Sequence, residues 1–532
     1  MDTGTDNTET KSLQSQKTNY FFREIWPWVD TYLLKPSILG VIALSVLLSI
    51  VLFFNPVIGM GDDGSTAGVI SGSDLYNLDE LSPKESMSFF QKDWGIMEYY
   101  NDSVNIQKTS QTLFINASKR LDIALTWDGN FDLRFYAGLI SIWYLFAMYF
   151  LFETVTYGKR SIWAYAIVAL GVFIFGDTAY TAWFNSFYPQ SISFFSVVLL
   201  GTSLILMGQR KYNDYVLIFL YFFNAMILSL LNHEYALLGI CLGILGIALK
   251  YVDVKKTYKR ICIIGGSLLI VLSFVSFILM PSNSTNLNKY HSMTRGIMMT
   301  ADNPETALDY FGINPQYSVL KGTVNYEAIS AETMNSSEMK VNFFDKINPV
   351  EIAVYYVGNP GQLYAMMNLA VESSFNIRPT WLGNYELSQG NPPGAQTDFF
   401  TGWSYFKAHT MPGNFGFVTI WMGVIIAVYV RNFRKGFLEK NERNTLRFLG
   451  LMTWLFIGIW ELYFAIITTG DTDALGRLFV FSLTFDLISF VVLGKLIHWV
   501  QKKMRQTDWK NQLIKFIKKK ESQDDDRGGY DR

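Results

Sequence analysis

Ten apolar runs constrain this chain of 532 residues more than anything else in it. They fall at about 37–59, 135–152, 161–175, 189–208, 215–231, 235–250, 261–280, 413–430, 448–468 and 478–498. Several hold roughly 18 or more residues without a charge, the length a helix needs to cross the hydrocarbon core of a bilayer. Inside lipid a backbone must satisfy its own polar groups, and a helix does so within one segment. The chain therefore reads as an all-α polytopic membrane protein with about ten transmembrane helices. The first run is long enough to stay as an anchor rather than serve as a cleaved signal.

The charges between the runs set the orientation. Short loops on one side carry Lys159 and Arg160, Arg210 and Lys211, a cluster at 255–260 and a basic stretch at 431–447. On the other side, 176–188 and 232–234 carry no Lys or Arg, and 469–477 carries only Arg477. Positive loops stay in the cytoplasm, so both termini are expected there. Two large extracytoplasmic loops follow, 60–134 and 281–412. Each holds a stretch that reads as an interfacial helix, 110–126 in the first and 349–371 in the second. The expected divisions are 1–36, a cytoplasmic tail whose segment 21–28 is interfacial; 37–280, seven spans; 281–412, the large loop; 413–498, three spans; and 499–532, a cytoplasmic tail. The basic part of that tail, 509–520, either binds anionic inner-leaflet lipid or is a solvated end.

Several classes of function lose support. Formal net charge is −1, so no basic field points to nucleic acid. No GxxxxGK[ST] or CxxC occurs, which removes the usual signs of phosphate-loop and zinc chemistry. Cys241 and Cys262 lie in apolar runs and read as buried thiols, and a large outer region without cysteine fits a bacterial envelope protein.

The candidate chemistry lies in acids at the outer boundary. Asp62 and Asp63 follow the first span, and Asp177 follows the third. Converging carboxylates there would supply a general base or hold a divalent metal, whereas solvated helix ends are the plainer reading. Tyr180, Trp183 and Asn185 stand in the aromatic loop 176–188. Such aromatics form an interfacial belt by default and can also serve as platforms for a sugar or prenyl chain. Glu461 and Asp486 fall inside spans, where an acid needs a partner. Together with Asp473 they read as a structural ion network. Arg477, Arg295 and His291 lie near the outer surface, either as ordinary loop and network residues or as contacts for a lipid phosphate.

Four segments give the chain a resemblance. The loop 176–188, the stretch 290–327 with GINPQYSVLKGTVNYE, IRPTWLGNYE at 377–386 and DALGRLFVFSLTFDL at 473–487 resemble the GT-C class of membrane glycosyltransferases. More narrowly they resemble bacterial glycan-biosynthesis hexose transferases common in Gram-positive bacteria. Those relatives carry Asn-Gly-Asp after the first span with an arginine shortly after; here the order is Asp62-Asp63-Gly64-Ser65, and Gly68 stands near the arginine's place.

The resemblance implies transfer of a hexose from a polyprenyl-phosphate-linked donor to a cell-envelope glycan at the outer face of a bacterial cell membrane. Asp62 or Asp63 would act as base, and Asp177 would orient the acceptor or hold Mg or Mn. Tyr180, Trp183, Asn185, Asn384 and Tyr385 would bind substrate. Arg477, Arg295, His291 or a divalent metal would meet the leaving phosphate. No nucleotide cofactor is implied, because the lipid carries the activation. A lipid-linked glycan flippase and a polymerase of glycan repeat units stand as alternatives.

Overall fold

The computed structural model describes residues 33–78, 81–98, 106–126, 129–279, 285–324, 336–439, 442–472 and 474–527. The segment 21–28 and Asp473 lie outside the described residues. The main helices are α1 (Pro36–Leu52), α2 (Ser110–Leu125), α3 (Leu133–Thr156), α4 (Ile162–Phe175), α5 (Thr178–Thr181), α6 (Gln190–Gln209), α7 (Asp214–Ser229), α8 (His233–Ala248), α9 (Lys256–Leu279), α10 (Pro349–Gly358), α11 (Pro360–Ser374), α12 (Gly402–Thr410), α13 (Phe415–Leu438), α14 (Glu442–Thr469) and α15 (Phe479–Arg527).

Every predicted run is helical, but not all are full-length spans. Among the described residues seven helices are long and apolar enough to cross a membrane: α3, α6, α8 with its extension to Tyr251, α9, α13, α14 and the first part of α15. α1 and α7 are shorter apolar helices, of 17 and 16 residues. α4 has only 14 residues and continues, after a 56° bend, into the short stretch Thr178–Phe184.

Local chemistry explains the boundaries. Pro36 opens α1 in the first turn, where a missing N–H costs nothing. Asp132, Ser161 and Asn213 cap α3, α4 and α7 by accepting from backbone amides of the first turn. α6 is the central helix, buried at every residue from Gln190 to Met207. Its Gly201 lets the Trp454 indole of α14 lie against the backbone. A Cβ there would fall 2.2 Å from the ring. Trp454 Nε1 also donates to the Val197 carbonyl at 2.7 Å. α8 and α9 approach through Gly239, Gly243 and Gly266, the small residues that let membrane helices pack closely.

The two large loops are more structured than expected. In the first, β1 (Leu75–Asn77), β2 (Asp93–Ile96) and β3 (Asn130–Asp132) form an antiparallel sheet, with Tyr76 opposite Gly95 and Trp94 opposite Phe131. Strands of three or four residues carry too little alternation to be read from sequence. α2 forms where predicted and leaves Leu113, Leu121, Ile123 and Leu125 exposed.

The second loop builds its own apolar core against the outer ends of α14 and α15, with Met293, Leu308, Phe343 and Tyr356 packed near Ile466, Leu478 and Phe481. The expected single surface helix 349–371 is instead two, α10 and α11, because Pro360 cannot continue the first. Tyr356, Met366, Met367 and Val371 are buried in that core rather than laid on lipid. Of the cysteines, Cys262 is buried as expected and Cys241 partly so, and both are free thiols.

Candidate functional site

Beyond Leu52 the chain unwinds, and three distant segments hold the unwound part. The Asn185 side-chain amide donates to the Leu52 carbonyl at 3.1 Å and the Ile58 carbonyl at 2.8 Å. Met60 N–H donates back to the Asn185 carbonyl. Asn384 closes the other side: its amide donates to the Gly59 carbonyl at 2.9 Å, and its own carbonyl accepts from Gly59 N–H. Gly61 N–H donates to the Gly383 carbonyl. A Cβ on Gly383 would lie 1.8 Å from the Ser88 carbonyl oxygen, so only glycine fits. Asn185 and Asn384, two expected substrate contacts, are thus structural clamps, both completely buried.

What they clamp is the turn that carries Asp62. Its Oδ1 accepts from Gly64 N–H at 3.0 Å and its Oδ2 from the Thr66 hydroxyl at 2.9 Å. The carboxyl is half-buried. Burial pushes its pKa above the ordinary value, the Thr66 hydrogen bond opposes this, and the neighbouring Asp63 adds repulsion. A narrow pocket opens beside it, walled by Trp94, Phe187 and Tyr188, with Ser86, Thr66 and Gln91 as polar lining. Trp94 meets Phe187 edge-on at 4.9 Å. Asp63 is exposed; its Oδ1 accepts from Ser65 N–H, and its own N–H donates to the Tyr188 hydroxyl at 3.0 Å. Sequence reasoning missed Trp94, whose place depends on the small sheet.

Asp177 does not join this pocket. It caps α5, with Oδ1 accepting from Ala179 N–H and Oδ2 from Ser404 N–H, both at 2.9 Å. With both oxygens taken up by backbone amides, it is a fold-holding cap rather than a metal ligand. Among the described residues no three His, Cys, Asp or Glu side chains are grouped to hold a metal ion.

The loop 176–188 is not an interfacial belt either. The bend after α4 turns it into the bundle, and every residue from Gly176 to Tyr188 is buried. Irregular backbone at such depth is tolerated where protein covers it. Tyr180 donates to Asp486 Oδ2 at 2.6 Å, and Trp183 packs edge-on to Tyr188 at 5.2 Å and to Phe479 at 5.8 Å. Neither ring face is open to a sugar.

Tyr385 lies beside the clamp, and its carbonyl accepts from Phe90 N–H. Arg378, which sequence reasoning did not single out, donates to Asn384 Oδ1 at 2.7 Å and feels the charges of Asp177 and Asp398. Burial lowers its pKa.

The expected phosphate contacts gather elsewhere, at the N-terminal end of α8 and the C-terminal end of α14. Arg295 is engaged on three sides: Nε and Nη2 donate to Asp471 at 2.7 and 2.6 Å, and Nη1 donates to the Gly322 carbonyl at 2.8 Å. Arg477 donates to Glu234 at 2.9 Å. Glu461 accepts from the Tyr235 hydroxyl at 2.9 Å. His291 is buried; that burial, with Arg477 and Arg295 nearby, lowers its pKa to about 4. A neutral imidazole would offer a phosphate an N–H donor but no charge. Asp486 pairs with Lys407 of α12, a partner not anticipated from the sequence.

Residues 18–520 match the family model described as the YfdI N-terminal transmembrane domain. No curated protein and no solved structure matches the chain.

Proposed function

The chain belongs to the YfdI N-terminal transmembrane domain family, and from that premise we propose that it is a membrane glycosyltransferase. It moves a hexose from a polyprenyl-phosphate-linked donor to a cell-envelope glycan at the outer face of a bacterial cell membrane, with both termini in the cytoplasm. The observation that carries this reading is Asp62, a half-buried carboxylate facing an aromatic-walled pocket just beyond the first span. A carboxyl whose pKa burial raises is a stronger base than a solvated one.

In the proposed step the acceptor hydroxyl oxygen bonds to the anomeric carbon as the bond from that carbon to the phosphate oxygen breaks. Asp62 takes the hydroxyl proton, and the prenyl phosphate leaves with the bonding electron pair. A single displacement inverts the anomeric centre. Asp62 is favoured over Asp63 because Asp63 is exposed and lies outside the pocket lining. Trp94 and Tyr188 wall the narrow space of about 20 Å³ beside the carboxylate, which has to widen to admit a sugar. Arg477, which pairs with Glu234, is the arginine proposed to meet the phosphate.

The test is transfer of labelled hexose in proteoliposomes from a polyprenyl-phosphate donor to extracted envelope glycan. Asp62→Asn should lose about 10²–10⁴-fold in rate, the usual worth of a general base. Asp63→Asn should stay within a few-fold of the parent. Full activity in Asp62→Asn would remove the assigned base.

One observation favours a second reading, a flippase. The break between α4 and α5 is of the kind that lines transport sites. Here, however, Tyr180, Trp183 and Phe184 fill the break. Movement of labelled lipid-linked sugar across liposomes by Asp62→Asn would favour transport.

A further inference from the structure

The end of the bundle opposite Asp62 holds a cavity of about 300 Å³ between α3, α6, α13, α14 and α15. This is the end that the basic loops assign to the cytoplasm. Its charged lining is Lys495, Arg447 and Lys435 against the single carboxylate Glu439, so the wall carries an excess of two positive charges. Glu439 already lies 3.8 Å from Lys435 on the exposed rim. Among the described residues neither Lys495 nor Arg447 makes a salt bridge. The nearby buried carboxylate, Glu153, is taken up by Lys211, Tyr212 and Ser37.

Both cations are instead held over aromatic rings. Lys495 Nζ stands 3.7 Å from the Tyr429 ring centre, and the Arg447 guanidinium lies 5.5 Å from that of Tyr157. A cation on a ring keeps its outward N–H groups available to an anion. A second feature also points to a ligand. Gln209 lines the cavity and donates through Nε2 to the Thr154 carbonyl at 2.9 Å, while its Oε1 is buried without a hydrogen-bond partner among the described residues. A buried acceptor left unpaired is costly, and a hydroxyl would satisfy it.

We propose that this cavity binds the headgroup of an anionic glycerophospholipid of the inner leaflet. Lys495 and Arg447 meet the phosphodiester, and Gln209 Oε1 accepts from a headgroup hydroxyl. Basic pockets between helices at this level suit such headgroups. The acyl chains have a place to lie, since Val424 and Val428 of α13 and Leu496 of α15 are exposed beside it. A phosphoglycerol headgroup carries both required groups, a phosphate charge and free hydroxyls.

Native mass spectrometry of the full chain, purified in detergent, tests this by scoring retention of phosphatidylglycerol against phosphatidylcholine. Phosphatidylglycerol should stay bound to the parent protein and phosphatidylcholine should not. Lys495→Gln with Arg447→Gln should weaken retention about thirtyfold, the effect of two basic groups near a membrane surface. Lys495→Arg, which keeps the charge and the fold, should retain the lipid. Equal retention of both lipids, unchanged retention in the double variant, or a loss in Lys495→Arg matching that in Lys495→Gln would overturn the proposal. So would displacement of the lipid by inorganic phosphate at equal concentration, which would mark a site for soluble phosphate. None of these readouts depends on sugar transfer.

Discussion

Lys407 and Asp486 meet at 2.8 Å with both side chains completely out of solvent. Lys407 comes from α12, before the last three spans, and Asp486 from the eighth residue of α15. The pair is also fully hydrogen-bonded. Asp486 Oδ2 accepts from Tyr180 and from Trp403 Nε1, and Lys407 Nζ donates to the Ser482 carbonyl and hydroxyl. A buried ion pair tolerates its desolvation only under such full satisfaction. It therefore ties the outer segment, the bent loop after α4 and the last span into one unit.

Lys407→Met should destabilise the protein by about 3–5 kcal/mol, because it leaves Asp486 charged and unpaired. Adding Asp486→Leu should recover most of that loss. Thermal unfolding in detergent compares the two variants. A double variant as unstable as the single one would show that the charge pairing is not the source of the loss.

The rate of hexose transfer should fall as pH drops through the raised pKa of Asp62, since the base acts only when deprotonated. Burial places that acid limb above the range of an ordinary carboxylate. Asp63→Asn should leave the limb where it is. A rate profile flat down to the usual carboxylate range would count against Asp62.

His291 makes a separate demand, on stability. Its folded pKa is about 4, below the ordinary 6.5, so between those values the unfolded chain binds the proton and the folded chain does not. The contribution is complete above about 6.5 and is lost as pH falls toward 4. His291→Gln should therefore show a smaller drop in melting temperature over that window than the parent. An identical drop in both would place the titration elsewhere.

Asn185→Ala removes both donors that hold the Leu52 and Ile58 carbonyls. Each carbonyl left buried and unpaired costs about 1–3 kcal/mol. Gly383→Ala should act on the same joint by forcing its Cβ against the Ser88 carbonyl. Limited proteolysis within 60–134 should speed up in both variants, while the membrane-embedded fragment stays intact. Unchanged cleavage would mean the clamps do not hold that loop.

The frame was legible because insertion into lipid leaves a strong sequence signal. All ten runs became helices, and the hairpin at 232–234 lies between α7 and α8 as read. α4 ends at Phe175, where the third run was read to end; the bend that carries the chain on into Thr178–Phe184 was missed, because hydropathy does not register a change of direction. The candidate site was legible in part. Asp62 was singled out because it stands at the end of a span. Asp177, Tyr180 and Asn185 were singled out for their chemistry, yet that chemistry serves packing; a cap, a buried hydroxyl and a bridging amide look like ligands until their partners are known. Lys407 and Arg378 went unremarked because each lies in a polar stretch, and only the tertiary fold buries the one and half-buries the other.

The two asparagines that hold the Asp62 turn are made at very different times. Asn185 leaves the ribosome soon after the first span, but Asn384 follows Gly59 by 325 residues. At about 5–20 residues per second, that interval is roughly 16–65 s. For that time the turn carrying the carboxylate is held on one side only, while most of the remaining helices insert. The site is thus a late product of synthesis, and a chain released before residue 384 carries Asp62 without the second clamp that shapes its pocket.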